Sequence, residues 1–166
     1  MAVSARYWRL RATADSFNPN WEGAFQLTRL ILRTSPGGTD HAQGQTAVAS
    51  EESAGNVAGN AVDGNNSTRW STGAEIIKHW IYVDLGSSME IVDLAIKELD
   101  GASYVNLPQE ITIEYGSNGS SWTVLETIAP AETLDMQTFS INSRATGNPR
   151  LIDGFNSSLI DGGLIQ

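Results

Sequence analysis

No stretch of this chain carries apolar residues at the 3.6-residue spacing of an amphipathic helix of useful length. Short runs alternating apolar with polar residues take its place, and turn formers cut them apart. Ile111-Thr112-Ile113-Glu114-Tyr115 alternates cleanly, and Asn118-Gly119 soon follows, a pair whose residues both tolerate the positive φ of a tight hairpin. Residues 79–86, 90–97, 109–116 and 121–129 read as strands. Residues 5–14, 25–34 and 133–141 add three more, and Thr46-Ala47-Val48-Ala49-Ser50 adds a short one. The chain is all-β on this pattern. Asp15 to Gly23 is rich in turn formers, and Ser35-Pro36-Gly37-Gly38 breaks the chain again.

Size and charge narrow the class. A chain of 166 residues is one domain, or one domain with a tail, and can bury a substantial core. Ten basic residues against 19 acidic ones give a net charge of −9, which a phosphate backbone or an anionic bilayer would repel. Nucleic acid is therefore not expected as a partner. Five of the ten basic residues (Arg6, Arg9, Arg11, Arg29 and Arg33) precede residue 34, and read as a local solvated or interface face. With no cysteine there is neither a disulfide framework nor a thiolate metal site. No apolar run approaches the ~20 residues that span a bilayer, so membrane insertion is not expected. No charged-then-apolar leader precedes Tyr7, and the expectation is a protein made in a cytoplasm without its own export signal.

Nothing in the chain singles out catalysis. His41 and His79 stand far apart, and neither has the spacing of a zinc-binding pair. There is no G-x-S-x-G elbow and no phosphate-cradling Gly-Lys-Ser/Thr loop. Nothing among the 19 acids marks out two as a hydrolytic pair. The expectation is a protein that is not an enzyme.

The arrangement of phrases says more. Asn60-Ala61-Val62-Asp63-Gly64-Asn65-Asn66-Ser67-Thr68-Arg69-Trp70-Ser71-Thr72 leads into Trp80-Ile81-Tyr82-Val83-Asp84-Leu85-Gly86. Later come Leu107-Pro108-Gln109-Glu110-Ile111 and Tyr115-Gly116-Ser117-Asn118-Gly119-Ser120-Ser121-Trp122-Thr123. Together these resemble the discoidin, or coagulation-factor type C, family, whose galactose-binding-like fold is a jelly-roll β-sandwich. That family normally closes on phrases like Arg6-Tyr7-Trp8-Arg9-Leu10 and Leu30-Ile31-Leu32-Arg33, which here stand at the beginning. The chain thus resembles a circularly permuted form, as in bacteriophage virion proteins.

The resemblance implies residues 1–142 as the sandwich and 143–166 as an extended C-terminal arm. Two similar phrases in that arm, Leu151-Ile152-Asp153-Gly154 and Leu159-Ile160-Asp161-Gly162, are too short to bury themselves and would lie on a neighbouring subunit or on the sandwich. It also implies a site. In sugar-binding relatives the loop matching Asp63, Asn65, Ser67 and Thr68 holds calcium, which takes six to eight hard oxygen ligands. A glutamate in the last strand usually completes that cage, and Leu27-Thr28-Arg29-Leu30 places Arg29 there instead. Three readings stay open: a bound calcium, an Arg29–Asp63 pair in its place, or neither; under any of them Asp63-Gly64 can be simply a tight turn whose aspartate caps backbone amides.

Ligands in this family bind the loops at one end of the sandwich. The matching loops hold Glu75, Lys78 and His79, then Tyr104 and Asn106, and Trp21 stands in a Pro/Asn/Gly loop of its own. The expected ligand residues are Trp21, Glu75, His79, Tyr104 and Asn106. Trp8, Trp70, Trp80 and Trp122 match positions that fill or rim the family's core. Asp84 is expected to end a strand and cap the following turn. The resemblance implies a non-enzymatic virion structural or adhesion protein: a baseplate, fibre-associated or capsid-decorating component. Its partners would be other virion proteins, its own copies and a host-surface glycan, in a particle released by lysis. The competing expectation is a carbohydrate-binding module associated with a bacterial glycoside hydrolase, against which the start at Met1 and the lack of a linker count.

Overall fold

A computed structural model describes residues 3–14, 24–73, 78–100, 102 and 105–142. The elements run β1 (Ser4–Ala12), β2 (Gln26–Leu27), β3 (Arg29–Arg33), β4 (Thr46–Ala49), a 3-10 turn (Ala58–Ala61), β5 (Trp70–Ser71), β6 (Trp80–Glu90), β7 (Asp93–Lys97), β8 (Ile111–Gly116), β9 (Thr123–Ile128) and β10 (Gln137–Ser140). A five-stranded sheet has the order β4-β6-β1-β8-β9, and a three-stranded sheet the order β10-β7-β3. A short ribbon, β2-β5, accompanies them. Every pairing is antiparallel. The described residues form the all-β sandwich that the pattern predicts.

One apolar layer holds the two sheets together. Trp8, Leu10, Ile81, Val83, Ile111 and Ile113 come from the large sheet, and Leu30, Leu32, Leu94 and Ile96 from the small one, all fully buried. Phe25 and Trp70 meet edge-on, ring centroids 4.9 Å apart, beside the ribbon.

Strand β1 lies in the middle of the large sheet. Its alternation is broken once: Tyr7 pairs with Asp84 but Ala5 with Met89, so residues 85–88 of β6 oppose Arg6 alone. This wide bulge lets Ala5 and Trp8, three apart in sequence, both face the core. The other face of β1 presents Tyr7, Arg9 and Arg11.

The expected 25–34 strand is two pieces. Thr28 separates β2 from β3 and turns to the neighbouring strand, its N–H donating to the Lys97 carbonyl at 2.9 Å and its hydroxyl to the Glu98 carbonyl at 3.0 Å. Strand β6 runs on to Glu90, so Asp84 does not end it as expected. The turn cap is present, with Asp84 Oδ1 accepting the Gly86 N–H at 2.9 Å, and the same carboxylate also takes both Nε and Nη2 of Arg6, at 2.6 and 2.8 Å.

The described chain closes where it opens. The Asn142 side chain accepts the Val3 N–H and donates to the Val3 carbonyl, both at 2.8 Å, and donates to the Ile91 carbonyl at 3.3 Å. Its own N–H donates to Glu126 at 2.9 Å. Residues 143–166, the expected arm, lie outside the described residues.

Candidate functional site

The loop end of the sandwich is defined by where β1 stops. Ala12 N–H donates to the His79 carbonyl at 2.9 Å, Lys78 N–H to the Ala12 carbonyl at 3.3 Å, and Thr13 N–H to the Glu110 carbonyl at 3.1 Å. Residues 12–13, 78–79 and 110 are thereby gathered at one end. Segments 15–23 and 74–77, which hold Trp21 and Glu75, adjoin these residues in the sequence. Of the five expected ligand residues, Trp21, Glu75 and Tyr104 lie outside the described residues.

His79 is held on both ring nitrogens. Nδ1 is 3.0 Å from the Ser50 hydroxyl, and Nε2 is 3.2 Å from Glu51 Oε2. The preceding Lys78 is exposed and adopts φ 80°, a left-handed conformation that few side chains take without a local constraint. Its backbone bond to Ala12 supplies that constraint. His79 adjoins the large sheet.

Asn106 sits on the other side, above the ribbon and β7. Its N–H donates to both oxygens of Glu98, at 2.7 and 2.8 Å, while its carbonyl accepts the Gln26 N–H at 3.1 Å. Gln26 Nε2 also reaches Glu98 Oε1, at 3.3 Å. Glu98 is completely buried, and burial pushes its pKa up to about 7, against the opposing pull of the Asn106 donors and the Arg69 charge. This knot of Gln26, Glu98 and Asn106 fixes the end of the 99–107 loop. Sequence reasoning missed Glu98, since Lys97-Glu98-Leu99-Asp100 reads as a solvated charged run.

The Asp63 loop is closed by its own hydrogen bonds. Asp63 Oδ1 accepts the Asn65 N–H at 2.7 Å and Oδ2 the Thr68 hydroxyl at 2.6 Å. Asn65 Oδ1 accepts the Ser67 N–H at 2.9 Å. Gly64, at φ 84°, makes the turn that a side chain would strain, and a Cβ there would meet the Gln43 amide at 2.5 Å.

Arg29 does reach this loop, donating to the Gly64 carbonyl at 3.1 Å. Its ion pair is with Asp40, at 3.4 Å, rather than with Asp63. Asp40 is fixed in turn by the N–H groups of Leu32 and Ala42, at 3.3 and 2.9 Å. The expected Arg29–Asp63 pair is thus corrected: the nearer acid on the 34–45 connection takes the guanidinium.

These residues do not fit a calcium ion. One carboxylate, already bonded on both oxygens, faces a loop into which a guanidinium donates. Calcium sites ordinarily gather six to eight oxygens with several negative charges. Among the described residues no three His, Cys, Asp or Glu side chains cluster as a metal site.

The four tryptophans expected to fill or rim the core divide in two. Trp8 and Trp70 are fully buried. Trp80 and Trp122 are half-buried on the outer face of the large sheet, with Tyr7 and Tyr82. Trp80 and Tyr82 stack at 5.7 Å, Tyr82 meets Trp122 at 5.3 Å, and the Arg9 guanidinium lies 4.3 Å from the Trp122 ring centre. Glu114 binds Arg9 and, at 3.0 Å, Arg11.

The described residues thus form an antiparallel sandwich of two sheets and a short ribbon. Residues 45–150 match the F5/8 type C domain family, and the chain belongs to that family. Domains of this kind bind carbohydrates or proteins. No curated protein matches the chain.

Proposed function

We propose that the chain is a non-enzymatic structural and adhesion protein of a bacteriophage particle. The loop end would bind a host-surface glycan or a neighbouring virion protein, and residues 143–166 would anchor the domain. The single observation carrying this reading is strand order. The family match begins at residue 45, yet β1 and β3, ahead of it, supply the middle of the large sheet and an edge of the small one. Circular permutation accounts for that order, with the 34–45 connection as the joint between the ancestral ends, and the permuted form is the one that resembles virion proteins.

The placement of the ends supports the division of labour. Val3 and Asn142 are bonded together at the opposite end of β1 from Ala12 and His79. Anchor and recognition loops therefore leave from opposite ends, so attachment through one leaves the other accessible. Several copies per particle would convert weak single-site binding into firm attachment. In this reading the Asp63 loop is a structural turn backed by Arg29, and no cation takes part.

Light scattering on the full chain and on a chain ending at Asn142, each with and without calcium, tests the proposal. An oligomer lost on truncation, and indifferent to calcium, is the expected result. A monomer in both forms, stabilised by calcium, would instead favour a freestanding carbohydrate-binding module that cooperates with a glycoside hydrolase. Replacing Trp21, His79 and Tyr104 together by alanine is expected to abolish host-surface binding. Unchanged binding removes the loop end from the proposal.

A further inference from the structure

The wide bulge opposite Arg6 opens a cleft at the end of the sandwich away from the loops. The cleft, about 500 Å3, is lined by the first residues of β1, by Ser88 in the bulge and by the base of the β8–β9 hairpin. Strand β1 pairs with β8 only from Tyr7 onward, so Ser4 to Arg6 diverge from the hairpin and leave this space. Its volume is within the few hundred to about a thousand Å3 usual for small-molecule sites.

The lining has a definite chemistry. Ser4, Ser88, Ser117 and Ser121 are exposed. Their hydroxyls, able both to donate and to accept, have no partner among the described residues. Trp122 and Tyr115 contribute ring surface. Arg6 is held in place by Asp84 through Nε and Nη2, which leaves Nη1 without an acceptor among the described residues.

Asp84 already answers the charge of Arg6, and no second cation lines the cleft. An anionic ligand would therefore find no net attraction. The hydroxyls of four serines and Thr123, the Nη1 group of Arg6 and two aromatic surfaces complement a ring that carries hydroxyl groups on its rim and C–H groups on its faces. We propose that this cleft is a second ligand site, which takes a neutral saccharide ring. It is independent of the loop-end reading: β1 separates the two by roughly 25 Å, at ~3.3 Å per strand residue.

The test uses the full chain and the indole N–H resonances of its five tryptophans, with Trp122 assigned through Trp122→Phe. Glucose, galactose and N-acetylglucosamine are titrated separately. The Trp122 resonance is expected to move saturably with at least one of them. Ser117→Tyr, on the exposed wall, is expected to abolish that movement without lowering the Tm. The combined Trp21, His79 and Tyr104 alanine variant is expected to keep it, even if host binding is lost. A Trp122 resonance unmoved by all three sugars overturns the proposal. So does movement that survives Ser117→Tyr with the fold intact, or that disappears in the loop-end variant.

Discussion

The two faces of the large sheet use the same residue types for different purposes. Trp8 points inward and is completely enclosed, its indole N–H donating to the Ala5 carbonyl at 3.0 Å. Trp80, on the adjacent strand, points outward into a group of rings that Arg9 and Glu114 knit together. The inner face is apolar and gains stability from area removed from water. The outer face is a polar-aromatic network in which each charge depends on its partner. Aromatic content alone therefore says little about where a strand's core face lies; the neighbouring charges decide it.

Four measurements would break or sharpen that contrast. The largest effect is expected from Trp8→Ala, about 3–5 kcal/mol in a denaturant titration, because nothing can refill the enclosed space. Glu114→Ala comes next, at about 3 kcal/mol, since it strips the counterion from Arg9, whose side chain is only 14% exposed. A loss as small as a surface pair's would show that the outer network is solvated and that the contrast is overstated.

The third concerns pH. Glu98 has a folded pKa raised to about 7 from its ordinary 4.5, so the folded protein holds its proton where the unfolded chain has released it. The contribution of Glu98 is fully present below about pH 4.5, declines between 4.5 and 7, and is gone above that. Relative to Glu98→Gln, the wild type should lose several degrees of Tm between pH 5 and pH 8. Parallel melting curves for the two proteins would contradict it. The smallest effect is expected at Val124, 56% exposed at the outer edge of the sheet, where Val124→Thr should change stability by less than about 0.5 kcal/mol.

Much of the sandwich was legible because a period-two pattern has few interpretations. Ile111 to Tyr115 gave β8 and a hairpin to β9, but the turn is longer than the tight Asn118-Gly119 pair implied: residues 117–122 connect the strands and only Gly119 takes a positive φ. In that turn Asn118 Oδ1 accepts the Ser120 and Ser121 N–H groups at 3.1 and 2.9 Å, and a Cβ on Gly119 would press on the Tyr7 ring at 3.3 Å. What stayed hidden depends on contacts between distant segments. The bulge at Arg6 shifts the register by three residues, and no local signal announces it. Asp40 as the partner of Arg29 requires the fold of the 34–45 connection. Glu98 looks solvated until Gln26 and Asn106 are folded over it. At the candidate site the sequence put His79 and Asn106 beside the loops between strands, but gave no sign of the buried acid that anchors the latter.

The bonds around Asn142 also have a mechanical consequence. Strand β10 is only four residues long and pairs with β7 alone, so a pull on the residues after Asn142 would, without a further attachment, peel it away one bond at a time. Asn142 instead transmits tension to Val3, Ile91 and Glu126, which belong to the beginning of the chain, the connection between β6 and β7, and β9. Those bonds must stretch together before the edge strand can unzip. The domain is therefore built to resist a tug on its tail as one rigid block.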